Sequence, residues 1–465
     1  MKLFCSIGIY LAALLVLGLS GGACHKQAFL DKKPSTNLLV PATFADFQEL
    51  LDNTQVMGIT PVLGEMSADN FYLDYLFWQS LDVREYNAYI WAPDLYEGQG
   101  LVPDWDIPYS QVFYANVVLE GLAKITPDSN SQGQWNMLEG EALFTRAFAF
   151  FNLAELFAPP YDSLTAATDP GIPLRDTADI NVKSVRATVR QTYTQLLGDL
   201  DIAANLLPPA IPVNNLNRPS RPAAQALLAR IYLSVGDYKD AGNYANSVLQ
   251  AYPALVNYNG LDTGANFPVS NNMPEILYQS NFLSATDVLT GLIYKECLVD
   301  TALLASYAPN DLRRPVYYKH LAGTNSYYLK GSYAGTVFPF SGLATDELYL
   351  IRAECSARAG LTGNALTDLD SLMSHRLLAG TFTGYSASNA TAALDTILVE
   401  RRKELAFRGI RWSDLRRLNK EGRNITLTRN LNGMPYSLVP NSNLYTLPIP
   451  PDVLSFNPGM QQNPR

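Results

Sequence analysis

Apolar residues recur along much of the chain at helical spacing. Between Glu139 and Phe157, the residues Leu143, Ala147, Phe150, Ala154 and Phe157 follow at steps of four, three, four and three, which places them on one helix face. Pro159 and Pro160 end that stripe. A second stripe runs from Val189 through Tyr193, Leu196, Leu200 and Ala203 to Leu207, and stops at Pro208-Pro209. Near the front, Thr43 with Asp46 three residues on forms a capping-box pattern ahead of Phe44, Phe47, Leu50 and Leu51.

Residues 223–253 read AAQALLARIYLSVGDYKDAGNYANSVLQAYP. Two helical patterns flank Gly236-Asp237, and Leu228, Ala229, Tyr232, Tyr238, Ala241 and Pro253 stand where a tetratricopeptide repeat places its packing residues. Small side chains let the paired helices cross closely, Tyr232 fills the gap beside them, and the proline stops the second helix. A similar pair carries Leu348, Ile351, Cys355 and Ala359, a turn at Gly360–Asn364, then Ala365, Leu366, Leu369 and Leu372. The helices at 139–157 and 189–207 make a third unit with a long insertion. Three such units can bury a continuous core. The predicted fold is mainly α: a tetratricopeptide-like helical-pair scaffold with large irregular insertions and few short strands.

Two long tracts break this pattern and read as non-helical, from about Pro61 to Pro108 and from about Leu255 to Phe340. Both are rich in aromatics, the first with Trp78, Trp91, Tyr96 and Trp105, the second with Tyr258, Tyr317, Tyr318, Tyr327 and Tyr328. Structureless loops of such length in a compact protein are usually functional, and these aromatics predict tracts that fold over the helices and present a surface.

Composition narrows the chemistry. The 465 residues are 48% hydrophobic and 17% charged, which fits a folded chain with a sizeable core. A formal charge of −9 provides no basic field for nucleic acid. The three histidines, His25, His320 and His375, are far apart and form no HExxH, so neither a metal nor a cofactor is expected. A P-loop is missing from the sequence, and no GxSxG elbow stands after Ala23. Gly98-Gln99-Gly100 is followed by Pro103 and lacks the third glycine of a dinucleotide fingerprint. Only a glycosidase, which needs two carboxylates at a suitable distance, escapes exclusion by motif.

At the N-terminus, Lys2 precedes an apolar run from Ile7 to Leu19, too short to span a bilayer about 30 Å thick. Ser20, Gly21, Gly22 and Ala23 then lead into Cys24, the pattern of a lipoprotein signal peptide over 1–23 with Cys24 as the lipidated residue. Gly21 stands where a leucine is usual. Cys297 and Cys355 are the other cysteines of the mature chain. They could bridge in an oxidising compartment, although Cys355 falls in an apolar helical pattern suited to a small buried residue.

Several separated motifs together resemble the SusD/RagB family of Bacteroidetes nutrient-uptake lipoproteins. They are Cys24…Phe29-Leu30-Asp31…Pro34, Trp105…Tyr109…Ala115-Asn116, Glu141-Ala142…Arg146-Ala147…Phe150-Phe151-Asn152-Leu153, Asp237-Tyr238…Ala241 and Tyr349-Leu350-Ile351-Arg352-Ala353-Glu354. The longest is Glu400-Arg401-Arg402-Lys403-Glu404-Leu405-Ala406-Phe407-Arg408-Gly409…Arg411-Trp412-Ser413-Asp414-Leu415-Arg416-Arg417, and Pro448-Ile449-Pro450, Asn457-Pro458 and Gln462-Asn463-Pro464 close the chain. The 400–417 block reads as scaffold: Leu405, Trp412 and Leu415 anchor an apolar face, and Glu400, Glu404 and Asp414 can pair locally with Arg401, Arg402, Arg411 and Arg416.

The resemblance implies one body over 24–465, with helical repeats and an aromatic insertion in 24–253 and the SusD/RagB part in 254–465. It implies a non-catalytic lipoprotein anchored on the outer face of the outer membrane. Such a protein captures an oligosaccharide or peptide for a SusC-like TonB-dependent transporter. Aromatic faces suit sugar C–H faces, and polar groups suit their hydroxyls. The candidate ligand-binding residues are therefore Trp78, Arg84, Trp91, Asp94 and Tyr96 from the first tract and Tyr317 and Tyr327 from the second. The alternatives are a protein-interaction scaffold without its own small ligand, and a glycoside hydrolase.

Overall fold

The computed structural model describes residues 41–283, 291 and 295–465. Cys24, the 1–23 segment and the Phe29-Leu30-Asp31 motif lie outside the described residues. The capping box forms: the Thr43 hydroxyl accepts from the Asp46 amide at 3.2 Å and the Asp46 carboxylate from the Thr43 amide at 2.9 Å, opening helix α1 (Phe44–Leu51). Among the described residues nine longer helices follow: α2 (Pro103–Leu122), α3 (Gln132–Phe157), α4 (Val189–Leu206), α5 (Arg221–Ser234), α6 (Tyr238–Ala251), α7 (Thr345–Arg358), α8 (Thr362–Met373), α9 (Ala390–Glu404) and α10 (Arg411–Lys420). In space α2 packs on α3, α3 on α4, α4 on α5, α5 on α6, α6 on α7, and α7 on both α8 and α9. This stacked array, with short strands between, is a mainly α, repeat-type scaffold.

The α5–α6 pair follows its sequence pattern. Leu228, Ala229 and Ala241 are buried, and Tyr232 stacks on Tyr244 at 5.6 Å. Gly236, at φ +81°, makes the left-handed turn that side chains resist, and Asp237 caps α6. The α7–α8 pair packs in the same way.

Three expectations need correction. First, helix α3 begins at Gln132, and it packs against α2 on one side as well as α4 on the other. The unit 139–157 with 189–207 is thus part of a three-helix run. Seventeen α3 residues are buried, from Leu138 to Phe157, so its apolar positions spread around the helix and one stripe understates it. Second, the Pro61–Pro108 tract is largely helical. It holds Leu63–Ser67, Tyr75–Ser80 and Val83–Tyr89, and its last residues start α2, which Pro103 opens from the first turn. Helices of five to seven residues are too short to print a periodic stripe. Third, the Leu255–Phe340 tract carries short strands and single helical turns, Thr301–Ala305 and Arg313–Tyr317 among them.

The 400–417 block is a buried scaffold, but much of its charge pairs at long range. Glu404 accepts from Arg376 at 2.7 Å and Arg313 at 3.2 Å, and Glu400 from Arg313 at 2.5 Å. Arg411 pairs with Asp69 at 2.7 Å and Arg408 with Asp346 at 2.9 Å. Local pairs remain between Arg401 and Asp414 (2.9 Å) and between Lys403 and Glu400 (2.6 Å). Cys297 and Cys355 are both buried thiols, and no disulfide joins them. Among the described residues, no helix is long and apolar enough to cross a membrane.

Candidate functional site

The two aromatic tracts meet in one antiparallel sheet. Strand β1 (Phe71–Tyr72) pairs with β2 (Leu298–Val299), β2 with β4 (Tyr327–Leu329), and β4 with β3 (Tyr318–His320). Side chains alternate across the pleat. Phe71, Val299, Leu329 and Tyr318 point inward and are buried. Tyr72, Leu298, Tyr328 and Lys319 are register partners across the four strands and share the opposite face, none of them buried.

That outer row is a tyrosine surface with cations beside it. The Tyr72 hydroxyl lies 2.8 Å from the Ser326 hydroxyl. The Lys295 ammonium sits 5.2 Å from the Tyr328 ring centre. At the sheet end Tyr327 stays half-exposed, with the Arg314 guanidinium 4.8 Å over its ring and donating to its hydroxyl at 3.0 Å. His320 meets the same ring edge-on at 5.2 Å, and its Nε2 lies 2.6 Å from the Thr324 carbonyl. Flat rings, hydroxyls and cationic donors suit a ligand with apolar faces and oxygen-rich edges.

Of the seven side chains singled out in the sequence, Tyr327 comes nearest this surface: it is half-buried at the end of the same sheet, on the face opposite Tyr328. Trp78 is 3% exposed, stacked on Tyr86 at 4.0 Å, and its indole donates to the Tyr86 carbonyl. Trp91 is buried too, donating to the Ser67 carbonyl at 2.9 Å with Arg429 4.7 Å from its ring. Tyr96 donates to the Pro448 carbonyl at 2.8 Å, and Tyr317 shares a 2.7 Å hydrogen bond with Tyr258. Burial pushes both phenols well above the ordinary tyrosine range, so they stay neutral. The faces of these four rings are spent on packing. Arg84 pairs with Asp82 at 2.6 Å and donates to the Leu101 carbonyl. Burial raises the Asp82 carboxyl, but its bonds from Arg84 outweigh that and hold it below the usual range. Asp94 is exposed and accepts from the Tyr96 and Glu97 amides as a turn cap. Tyr72, Tyr328, Lys295 and Lys319 belong to the surface without having been singled out. The legible signal was the strand-turn-strand pattern Tyr318-Lys319-His320…Gly323…Tyr327-Tyr328-Leu329, with Gly323 at φ +81°.

The protein is thus a stacked helical array that carries an aromatic, cation-flanked sheet. Its sequence matches two family profiles: one described as starch-binding and associating with the outer membrane, over residues 28–233, and the SusD family profile over residues 310–465. The chain belongs to the SusD family. A SusD-like protein P2 from Formosa agariphila is 28% identical over 146 residues, which cover 31% of this chain and 26% of that curated relative. Among solved structures, a SusD superfamily protein from Bacteroides vulgatus superposes with a TM-score of 0.72 at 24% identity, covering 91% of this chain and 99% of that one. The surface glycan-binding protein A from Bacteroides uniformis superposes at 0.68 with 18% identity, covering 90% of this chain and 99% of that one. Identities this low show a shared fold.

The motif residues turn out to be cross-links of that fold. Arg146 holds Asp199 at 2.7 Å and Asn116 at 2.9 Å, and Asn116 in turn donates to the Arg175 carbonyl. Near the C-terminus, Asn463 donates to the Phe157 and Leu447 carbonyls.

Proposed function

We propose that this protein is a non-catalytic cell-surface lipoprotein that captures an oligosaccharide on the β1–β4 sheet and passes it to a SusC-like TonB-dependent transporter. The observation carrying this reading is the meeting of both aromatic tracts in one sheet, with Tyr72 and Tyr328 half-exposed on one face beside Lys319 and Lys295. Tyrosine faces stack on sugar rings at low entropic cost, and the cations take hydroxyl oxygens. Family membership and the glycan-binding relative support a carbohydrate over a peptide.

A second observation favours a protein partner as well. A groove of about 490 Å³ beside α2 is lined by Tyr109, Phe113, Ile180 and Phe456. Ile180 is 77% and Phe456 80% exposed, and apolar surface of that kind marks interaction sites.

The test is isothermal titration of the chain starting after Cys24 against a panel of oligosaccharides, with peptides as the contrast. Saccharide binding is expected, and Tyr328→Ala and Tyr72→Ala should each weaken it about three- to tenfold. No heat with any saccharide, or binding indifferent to both substitutions, would overturn the assignment.

A further inference from the structure

A separate cavity of about 70 Å³ lies among α3, α5, α9 and the turn that enters α10. Its walls include Asn152, Arg230, Arg401, Arg408 and Trp412. Arg401, Arg408 and Trp412 are each only 2% exposed. Each arginine has one anchored edge. Arg401 Nε donates to Asp414 at 2.9 Å, and Arg408 Nη1 donates to Asp346 at 2.9 Å. The Tyr333 and Phe340 rings, 4.9 and 4.6 Å away, take up the Arg408 guanidinium without accepting its in-plane hydrogens.

Five side-chain nitrogens of these walls are orphaned, all of them donors. Arg401 Nη1, Arg408 Nε and Nη2, Trp412 Nε1 and Asn152 Nδ2 are buried and reach no acceptor among the described residues. Three carboxylates also line the cavity, and all are engaged: Glu155 accepts from the Tyr193 hydroxyl at 2.9 Å and lies 3.8 Å from Arg416. Asp414 accepts from Arg401 and Arg417, and Glu65 accepts from the Asn70 side chain and the Gly409 amide. A buried donor left without an acceptor is costly, so five on the walls of one cavity are a large demand for acceptors. Water is a poor answer, because every molecule brings two donors of its own to walls whose carboxylates are taken. A small anion brings acceptors alone, and charge-assisted bonds from two guanidinium groups are the strong kind.

We propose that this cavity is a binding site for a small acceptor-only anion of halide size, held by Arg401, Arg408, Trp412 and Asn152. The site stands apart from the tyrosine sheet and has a structural task. It ties α3 and α5 to α9 and α10, so its occupant stabilises the folded chain by binding it and not the unfolded one.

Bromide tests the site directly, because it replaces a halide and scatters anomalously. Crystals of the protein grown in sodium gluconate and soaked in sodium bromide should show an anomalous peak beside the Arg401 and Arg408 guanidinium groups and the Trp412 indole nitrogen. In solution, the unfolding midpoint should be higher in sodium chloride than in sodium gluconate at equal ionic strength. Trp412→Phe keeps the ring and deletes one donor, and should weaken bromide binding about tenfold. Asn152→Leu serves as the second variant, deleting one donor at a position that is only partly buried. A cavity without anomalous signal, or equal midpoints in the two salts, overturns the proposal, as does unchanged bromide affinity in both variants.

Discussion

Around Glu404, buried charge is arranged residue by residue into a closed set. Arg313 and Arg376 are fully buried, and both donate to Glu404; Arg313 also pairs with Asp311 at 2.6 Å and Arg376 with Glu275 at 2.9 Å. Such sets hold geometry more than they add stability, because desolvation offsets most of the Coulomb attraction. Glu141 is different. It is buried, and burial pushes its carboxyl up to about 7, against the hydrogen bond from Gln48 that lowers it. Its folded pKa lies above the unfolded value of 4.5, so its contribution is fully present below 4.5 and is lost as pH rises through 7. Glu141→Gln removes that dependence and keeps the acceptor for Gln48. The variant should therefore gain about 3 kcal/mol on the parent between pH 4 and pH 8. Denaturant unfolding at the two pH values reads the difference, and equal curves would show that Glu141 ionises normally.

At the scale of elements, short strands are held by close backbone approach. The strand Ile276–Tyr278 pairs with Leu343–Ala344, and a methyl group on Gly342 would run into the Tyr278 carbonyl oxygen. The Gly342 carbonyl also accepts from Arg230 at 2.7 Å, which links the strand to α5. Gly342→Ala should cost about 2 kcal/mol or more, since neither backbone can yield without disturbing that pairing. Gly363, on α8 with open space around it, provides the contrast: Gly363→Ala should be neutral or slightly stabilising. A thermal melt of both variants distinguishes the two sites. The legible helices were those with a single apolar face. The α5 and α6 pair could be read because the turn, the cap and the small crossing residues all sit within about thirty residues of sequence. Helix α2 could not be read from periodicity, since it is buried around Trp105, Val112, Ala115 and Val118 and carries Pro108 inside it.

For the whole molecule, the stacked helices form the frame and strands from the two aromatic tracts form the proposed binding surface. The proposed anchor at Cys24 precedes the described body and sets where that surface operates. Cys24→Ser should move the protein from the membrane fraction to the soluble one, while glycan binding by titration stays unchanged. Persistence in the membrane fraction would show that something other than Cys24 lipidation holds it there.

Local sequence by itself determined the helix pairs, the caps, the family and the aromatic wealth of two particular tracts. Each rests on neighbours within a few turns of chain or on motifs whose order is visible. Only the tertiary structure decided which aromatics face solvent. Trp78, Trp91, Tyr96 and Tyr317 are as suited to stacking as Tyr72 and Tyr328, yet the pleat and the packing beneath it bury the first four and expose the other two. The same holds for the charges of the 400–417 block, whose partners Asp69, Arg313, Asp346 and Arg376 come from segments far away in sequence. Exposure and pairing depend on what lies across the fold, and no local pattern encodes that.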